Sequence, residues 1–290
     1  MPVPTVTTQL DASLPTLIAS ARNVREQEGD MPALVERRAL EEGTGNVWHE
    51  VSYAKLTAQA VNETTENDNI QQVSDTDFNI TPTLVQIATA LTDKVGRNIT
   101  KNGLREIGAL GQNAMQRKKN IDGLTAIDAT GSAQLGSAGA SMTFGLVAAA
   151  QANIRGNTTE PGHAPYRFVA HPFQMKDIYD QFTAPVGTYD ISEGATFRVF
   201  REGFKGMINE AQAFENGDFT IDSDGDVKAG CFAREGIVLV EEMAPKMETE
   251  RMPRLGGGST IITHTDGYAY GIRQNQWVHE IISDATAPTS

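Results

Sequence analysis

The chain has 290 residues and a formal net charge of −13, with 39% hydrophobic and 21% charged residues. These proportions are ordinary for a folded protein, and the length suffices for one large domain or two smaller ones. The acidic balance argues against tight, sequence-specific DNA binding, because such binding requires a basic surface against the phosphates. No apolar run approaches the ~18 residues that span a bilayer, so we expect no membrane contact. The single cysteine, Cys231, rules out an intrachain disulfide.

The N-terminal segment mixes proline, threonine and charged residues. We predict one helical piece over 14–25 and a second over Pro32–Glu42, where proline occupies a favoured first helical position. The glycines at 43 and 45 then end the segment.

The region that follows is the most informative part of the chain. Alternating side chains over 46–53 predict a strand, and we predict its return limb over 70–80. The stretch 56–93 contains no lysine, arginine or glycine. Its acidic residues are Glu63, Glu66, Asp68, Asp75, Asp77 and Asp93. Because an isolated two-stranded ribbon is marginally stable in water, this excursion needs a partner surface, which indicates assembly rather than catalysis.

Two helices are predicted next. Thr81 and Pro82 are typical of a helix start, with threonine as the N-cap and proline at the first helical position. Apolar residues from Leu84 to Leu91 recur at helical spacing, so we predict that this helix ends near Gly96. A longer helix is predicted over 101–126 from its apolar stripe.

The remainder of the chain mixes helices with short strands. After a junction of small residues at 129–141, we predict helices over 143–155 and 172–182 and a buried strand over 165–170. Further strands are predicted over 196–201, 206–210, 220–221 and 237–241, and a final antiparallel set over 260–265, 267–273 and 277–282. The glycines at 256–258 predict a loop. The predicted fold class is therefore α+β.

Motifs for catalysis or metal binding do not occur in the sequence. The aspartates within 222–226 invite a calcium interpretation, but an EF-hand loop needs Gly and Glu where this chain has Val227 and Ala233. A type I′ hairpin turn at Asp224-Gly225 fits better. Cys231 lies in an apolar patch and is predicted to be a core residue. We therefore predict no catalytic, cofactor-binding or metal-binding residues.

A basic cluster lies between residues 97 and 119. It contains one acid, Glu106, and six basic residues: Arg97, Lys101, Arg105, Arg117, Lys118 and Lys119. One interpretation is a solvated helix face. The other is that this helix lies beneath the acidic extended loop of a neighbouring copy, so that opposite charges steer association and set its register.

The order of these elements resembles the major capsid protein of tailed bacteriophages, the Hong Kong 97-type fold. The segment VSDTDFNITPTLVQIATALTD is similar to the family's strand that runs into a short helix. YRFVAHPFQMKDIYDQF is similar to its buried strand, proline turn and helix, and GYAYGIRQNQWVHEIIS is similar to its last strands. The resemblance covers almost the whole chain. It implies an N-terminal arm (1–44), an extended loop (45–80), a peripheral domain with a spine helix (81–130), an apical domain (131–250) and the C-terminal strands of the peripheral domain (251–290).

The resemblance implies a structural protein and not an enzyme. Its copies would self-assemble into the pentamers and hexamers of an icosahedral or prolate shell, and would contact packaged double-stranded DNA non-specifically. The implied location is the virion, after assembly in the host cytoplasm, and the implied partners are a separate scaffolding protein, a portal and, as a further candidate, a decoration protein. Some members cross-link through a lysine and an asparagine, for which we find no matching positions here. The candidate intersubunit contacts are Glu63, Glu66, Asp68, Asp75, Asp77, Arg97, Lys101, Arg105, Arg117, Lys118 and Lys119.

Three alternatives stay open at this point. Encapsulins share the same fold, so an encapsulin-like nanocompartment shell is the nearest one. A soluble α+β enzyme with an unrecognised site is the second, and its best nominees are His171 and Asp177. The third is a non-shell virion protein, such as a minor tail or decoration protein.

Overall fold

The computed structural model describes residues 29–43, 45–64, 70–98, 101–183 and 207–288, with residues 101–106 described by their backbone alone. The helix predicted over 14–25 and the strand predicted over 196–201 lie outside this part of the chain.

Helices and strands alternate irregularly along the described residues. The helices are α1 (Met31–Leu34), α2 (Asp93–Asn98), α3 (Lys101–Asp128), α4 (Phe144–Arg155) and α5 (Pro172–Thr183). The strands are β1 (Glu36–Ala39), β2 (Trp48–Tyr53), β3 (Asp75–Ile80), β4 (Thr83–Thr92), β5 (Leu135–Gly136), β6 (Tyr166–Ala170), β7 (Met207–Ile208), β8 (Ala211–Glu215), β9 (Asp226–Ala233), β10 (Ile237–Met252), β11 (Ser259–Ile272) and β12 (Val278–Asp284).

The strands form two sheets and a separate ribbon. A four-stranded sheet has the order β1-β10-β11-β4, in which β10 and β11 make a long antiparallel hairpin. A six-stranded sheet has the order β5-β12-β9-β6-β8-β7. Among the described strands, β2 and β3 pair with each other alone, as an antiparallel ribbon. The mixture of helices with largely antiparallel sheets confirms the α+β class.

The six-stranded sheet is covered by helices on both faces. Successive residues of a strand point to opposite faces, so Phe168 and Cys231 pack with α4 and α5, whereas Val169 and Phe232 pack with α1 and α3. Ile127 of α3 belongs to the second group and is fully buried. The long helix α3 therefore links the two sheets, because it also lies along β11.

Several predicted helices and strands are confirmed. The helix predicted over 101–126 is α3, and those predicted over 143–155 and 172–182 are α4 and α5. Thr143 caps α4, since its side chain accepts a hydrogen bond from the Leu146 amide. The buried strand predicted over 165–170 is β6.

The helix predicted from Thr81 to Gly96 is wrong. Residues 83–92 form β4, which pairs with β11 along its whole length, and helix begins only at Asp93. The segment is rich in threonine and β-branched residues, which favour strands. Its apolar spacing also fits a strand, because Val85 and Ile87 lie on one face and Leu84 on the other.

The helix predicted over Pro32–Glu42 is also wrong in most of its length. One helical turn, α1, buries Met31 and Leu34, and Val35 then takes an extended backbone with φ −99° and ψ 170°. The following residues form β1, which pairs in parallel with β10. Pairing with an existing sheet edge outweighs a weak local helix preference.

The turns also differ from the predictions. Residue 206 of the strand predicted over 206–210 lies outside the described part of the chain. The next two residues form β7, and Asn209 and Glu210, with φ values of 47° and 77°, make the type I′ turn between β7 and β8. Residues 220–221 are not in a strand. The turn at 222–226 is present, but only Gly225 has positive φ, so it is not type I′. The two strands predicted over 260–273 are one continuous strand, β11.

Each sheet combines strands from more than one of the domain ranges that the resemblance implies. Strand β10 falls mostly within the range 131–250, yet it pairs with β11 and shares a sheet with β4. Strand β12 falls within 251–290, yet it pairs with β9 beside β6. The C-terminal strands are therefore divided between the two sheets.

Candidate intersubunit surface

The extended hairpin, defined here as residues 45–80, is built on the ribbon of β2 and β3. The pairing runs from Trp48 opposite Ile80 to Tyr53 opposite Asp75, which confirms the predicted two-stranded excursion. The limbs stay together beyond the strands, because the Thr57 amide donates to Gln71 Oε1 at 2.8 Å. The two limbs of the hairpin are therefore paired with each other within the single chain.

One face of the ribbon fixes its base to the four-stranded sheet. Phe78 packs edge-on against Trp48, with ring centroids 6.1 Å apart, and both join Ile80 on the buried Val238. Gly271 of β11 makes this contact possible, because a Cβ there would lie 2.6 Å from Ile80 Cδ1. The base is thus held by close packing against residues distant in sequence.

An ion pair network adds to this attachment. Arg273 Nη1 donates to Glu36 Oε2 at 2.6 Å and to the Glu235 carbonyl at 2.8 Å, and Nη2 donates to Glu50 Oε2 at 2.9 Å. Burial alone would raise the pKa of Glu36, but hydrogen bonds and charge from Arg273 and Arg38 bring it below its usual value. The network therefore holds the Glu36 carboxylate ionised at neutral pH.

The opposite face of the ribbon combines apolar and acidic side chains. Val51 and Tyr53 on β2 are 48% and 73% exposed. They lie opposite Asp77 and Asp75 on β3, so two of the predicted contact acids share a face with exposed apolar groups. Asp77 also pairs with His49, whose Nδ1 lies 3.1 Å from Asp77 Oδ2.

Exposed apolar side chains continue along the rest of the hairpin. More than half of the large exposed hydrophobic residues in the described ranges lie between residues 51 and 84: Val51, Tyr53, Leu56, Val61, Ile70, Val73 and Leu84. Ile70 is 93% exposed. Exposed apolar side chains concentrated in one segment in this way are typical of a binding surface in a folded protein.

The remaining acids of the contact set are only partly described. Glu63 is exposed, whereas Glu66 and Asp68 lie outside the described residues. The structure therefore locates Glu63, Asp75 and Asp77 on one projecting element and leaves the other two acids as predictions.

The basic residues of the contact set divide into separate groups. Arg97, Arg117 and Lys118 are exposed, and Lys118 forms an ion pair with Asp122 one turn along α3. The side chains of Lys101 and Arg105 lie outside the described part of the chain. Arg117 and Lys118 are the members of the predicted set that the structure shows on the outer face of α3.

Lys119 does not belong to the outer surface. It is 8% exposed and forms ion pairs with Glu241 and Asp266 of its own chain. Because this buried side chain already pairs with two carboxylates of its own chain, the structure assigns Lys119 to the interior of the subunit and not to the outer face of α3. The sequence pattern could not reveal this, because both partners lie more than 100 residues away.

Within the described ranges, the side chains that could hold a metal ion are dispersed. These ranges contain no group of three or more His, Cys, Asp or Glu side chains arranged to hold a metal. Cys231 is fully buried, and burial raises the pKa of its thiol to about 12, which confirms the predicted core role. The helices of the described ranges are too short or too polar to cross a bilayer.

The two nominated catalytic residues have structural contacts. His171 Nδ1 accepts a hydrogen bond from the Phe173 amide at the start of α5, and burial lowers the pKa of the imidazole. Asp177 Oδ2 accepts a hydrogen bond from the Met142 amide at 3.1 Å. Burial raises the pKa of this carboxyl. Both side chains therefore accept hydrogen bonds from backbone amides, His171 at the start of α5 and Asp177 in the loop before α4.

Two residues that hold the base of the hairpin were not identified from the sequence. Arg273 and Gly271 orient the hairpin, yet they lie about 200 residues from its strands. An arginine before a polar turn was visible in the sequence, but nothing local indicated which acids it would bind.

Comparison with known proteins rests on structure alone. No family model matches the sequence, and no curated protein matches it. Among solved structures, one from Mycobacterium phage Che8 matches with a TM-score of 0.74 and 15% identity, over 90% of this chain and 94% of that one. The capsid of cyanophage P-SCSP1u matches with a TM-score of 0.71 and 11% identity, over 97% and 96% of the two chains.

An encapsulin also matches. The encapsulin complex from Synechococcus elongatus gives a TM-score of 0.65 and 10% identity, over 97% of this chain and 98% of that one. At these identities the likeness establishes the fold. The chain has the Hong Kong 97-type fold of tailed-phage capsid proteins, as the sequence predicted.

Proposed function

We propose that this chain is a major capsid protein, which self-assembles into the pentamers and hexamers of an icosahedral or prolate shell around packaged double-stranded DNA. The observation that carries the proposal is the extended hairpin with its exposed apolar and acidic face, on a chain with the capsid fold over nearly its full length. A ribbon of this kind is marginally stable unless a second surface covers it.

The outer face of α3 supplies a complementary surface. Leu110 is 39% exposed, and Arg117 lies seven residues further on, at nearly the same angular position on the helix. Lys118 is adjacent and exposed. We propose that Asp75 and Asp77 of one copy lie beside these basic residues of the next copy.

This pairing combines two contributions. Opposite charges steer the approach and fix the register, whereas burial of Tyr53 and its apolar neighbours supplies most of the affinity. Each interface is weak, and a closed shell multiplies many of them.

The remaining features belong to the same proposal. The chain acts as a structural protein of the virion and has no catalytic role. It assembles in the host cytoplasm with a separate scaffolding protein and a portal, with a decoration protein as a further candidate. The domain ranges stay as the resemblance implies them, with an apical domain over 131–250 around the capsomer axis and a peripheral domain over 81–130 and 251–290. The net charge of −13 suits a container that contacts its genome loosely.

An encapsulin-like shell is the second candidate, because the encapsulin match covers 97% of this chain. It would use the same interfaces around a protein cargo. The contents of purified particles separate the two, since double-stranded DNA indicates a capsid and a cargo enzyme indicates a nanocompartment.

Negative-stain microscopy of the purified chain at moderate salt tests the proposal. Closed shells or ring-shaped capsomers are expected. A chain that stays a monodisperse monomer at every protein concentration, with and without the proteins encoded beside it, contradicts the assembly function.

A further inference from the structure

We infer that Arg273 couples the position of the N-terminal arm to that of the extended hairpin, through one guanidinium shared by Glu36 and Glu50. Glu36 lies in β1, which is part of the arm (1–44), and Glu50 lies in β2 of the hairpin. The two strands belong to different sheets, yet their carboxylates meet on the same side chain.

Contacts with the residues at 235 and 236 anchor Arg273. The Arg273 amide donates to the Gly236 carbonyl at 2.9 Å, which anchors its main chain. Its side chain is 14% exposed, and Nη1 also donates to the Glu235 carbonyl. The planar fork therefore presents Nη1 to Glu36 and Nη2 to Glu50 in one orientation.

Each carboxylate helps to hold the fork in the orientation that the other needs. Burial alone would lower the pKa of Arg273, but its hydrogen bonds to Glu36 and Glu50 raise it, so the cation stays charged. Hydrogen bonds between charged groups are the strong ones, so removing one carboxylate leaves the guanidinium with fewer contacts to hold its orientation. Loss of Glu36 should therefore loosen the hairpin, and by reciprocity loss of Glu50 should loosen β1.

The coupling is a property of a single chain, whereas its role in assembly rests on the proposed function. In a growing shell, a neighbour that pulls the N-terminal arm away from β10 would also release the hairpin that reaches the next copy. Arg273 is thus a positioning residue for both arms.

Hydrogen exchange of the unassembled full-length chain tests the coupling. Glu36→Ala should speed amide exchange about tenfold at residues 48–53 and 75–80, and Glu50→Ala should speed it about tenfold at residues 36–39. Glu248→Ala is the control, because Glu248 pairs with Lys246 on the exposed part of β10 and should alter neither segment. Exchange that rises only in the strand carrying each substitution would overturn the inference.

Two further measurements keep the test decisive. If an alanine variant does not fold, Glu36→Gln keeps an acceptor for Nη1 without the charge, and should give a smaller acceleration of the same hairpin amides. If it leaves those amides unchanged, the coupling is refuted. If each substitution speeds exchange in the other strand but the chain never forms shells, the proposed function is wrong and the coupling stands. If shells form normally but exchange in the other strand does not change, the coupling is wrong and the proposed function stands.

Discussion

Lys119 of α3 places its ammonium 3.3 Å from the carboxylate Oδ2 of Asp266 in β11. The same ammonium pairs with Glu241 of β10 and lies 4.8 Å from the centre of the Tyr268 ring. One buried side chain thereby fastens α3 to both long strands of the four-stranded sheet. It does so beside residues 241–246, where β10 shifts register against β11.

Replacing this lysine should be costly. Lys119→Met leaves two carboxylates together without a cation, and should lower the free energy of unfolding by about 3–5 kcal/mol. Urea unfolding followed by circular dichroism measures the loss. Lys118→Met is the matched control, because Lys118 is exposed, and should change stability by at most ~0.5 kcal/mol. Equal effects at the two positions would contradict the structural role of Lys119.

Two glycines of α3 should respond to alanine with opposite signs. A Cβ at residue 111 would lie 2.6 Å from the His264 ring, whereas a Cβ at residue 108 would meet nothing within 4 Å. Gly108→Ala should therefore stabilise the protein by up to ~1 kcal/mol, the usual helix preference for alanine. Gly111→Ala should destabilise it by about 1–3 kcal/mol through overpacking. Thermal unfolding compares them, and the same sign for both would show that β11 does not pack closely on α3.

The ionised state of Glu36 should contribute to stability in a pH-dependent way. Its pKa in the folded chain lies below the ordinary value of 4.5, so its contribution is fully present above that value. The contribution is lost as the pH falls through the lowered folded-state pKa. Glu36→Gln should therefore reduce stability at neutral pH and make unfolding less sensitive to acid below about pH 4.5. Urea midpoints measured across this range check the prediction, and parallel curves for the two proteins would contradict it.

Charge reversal tests how neighbouring copies meet. Arg117→Glu with Lys118→Glu should prevent assembly and leave the subunit folded, because both residues are exposed. Lys119 must stay unchanged, since its replacement should destabilise the subunit and would mimic an assembly defect. Mixing the double variant with a chain carrying Asp75→Lys and Asp77→Lys should restore mixed assemblies, measured by light scattering.

Salt provides an independent check of the same contact. Raising ionic strength from 0.1 to 1 M shortens the Debye length from ~10 to ~3 Å, so assembly of the wild-type chain should weaken. Assembly that is unaffected by salt and by charge reversal would mean that the acidic face and α3 do not meet.

Local signals predicted much of the fold. The alternation over 46–53 located β2, and the apolar stripe over 101–126 located α3, because both patterns arise from the period of the element itself. The segment 83–92 was misassigned, since its spacing satisfies a helix and a strand equally and only pairing with β11 decides between them. β1 was missed for the same reason, because its stability comes from β10.

The candidate surface was predictable in outline only. An acidic stretch without lysine or arginine, residues 56–93, is visible in the sequence, and so is a basic helix. The sequence could not separate exposed Lys118 from buried Lys119, because the partners of Lys119 come from β10 and β11. Nor could it connect Arg273 with Glu36 and Glu50, which lie more than 200 residues earlier.

The most direct test of the central claim is microscopy of a chain whose hairpin face has been made polar. Val51→Asp with Tyr53→Asp adds charge to the exposed face and leaves the buried base of the hairpin intact. Ile221→Asp is the control, because Ile221 is 41% exposed and lies away from the hairpin in sequence. If the hairpin face joins the copies, the control forms shells like the wild type, whereas the double variant yields only folded, unassembled subunits. Shells of normal size and number from the double variant would contradict the claim.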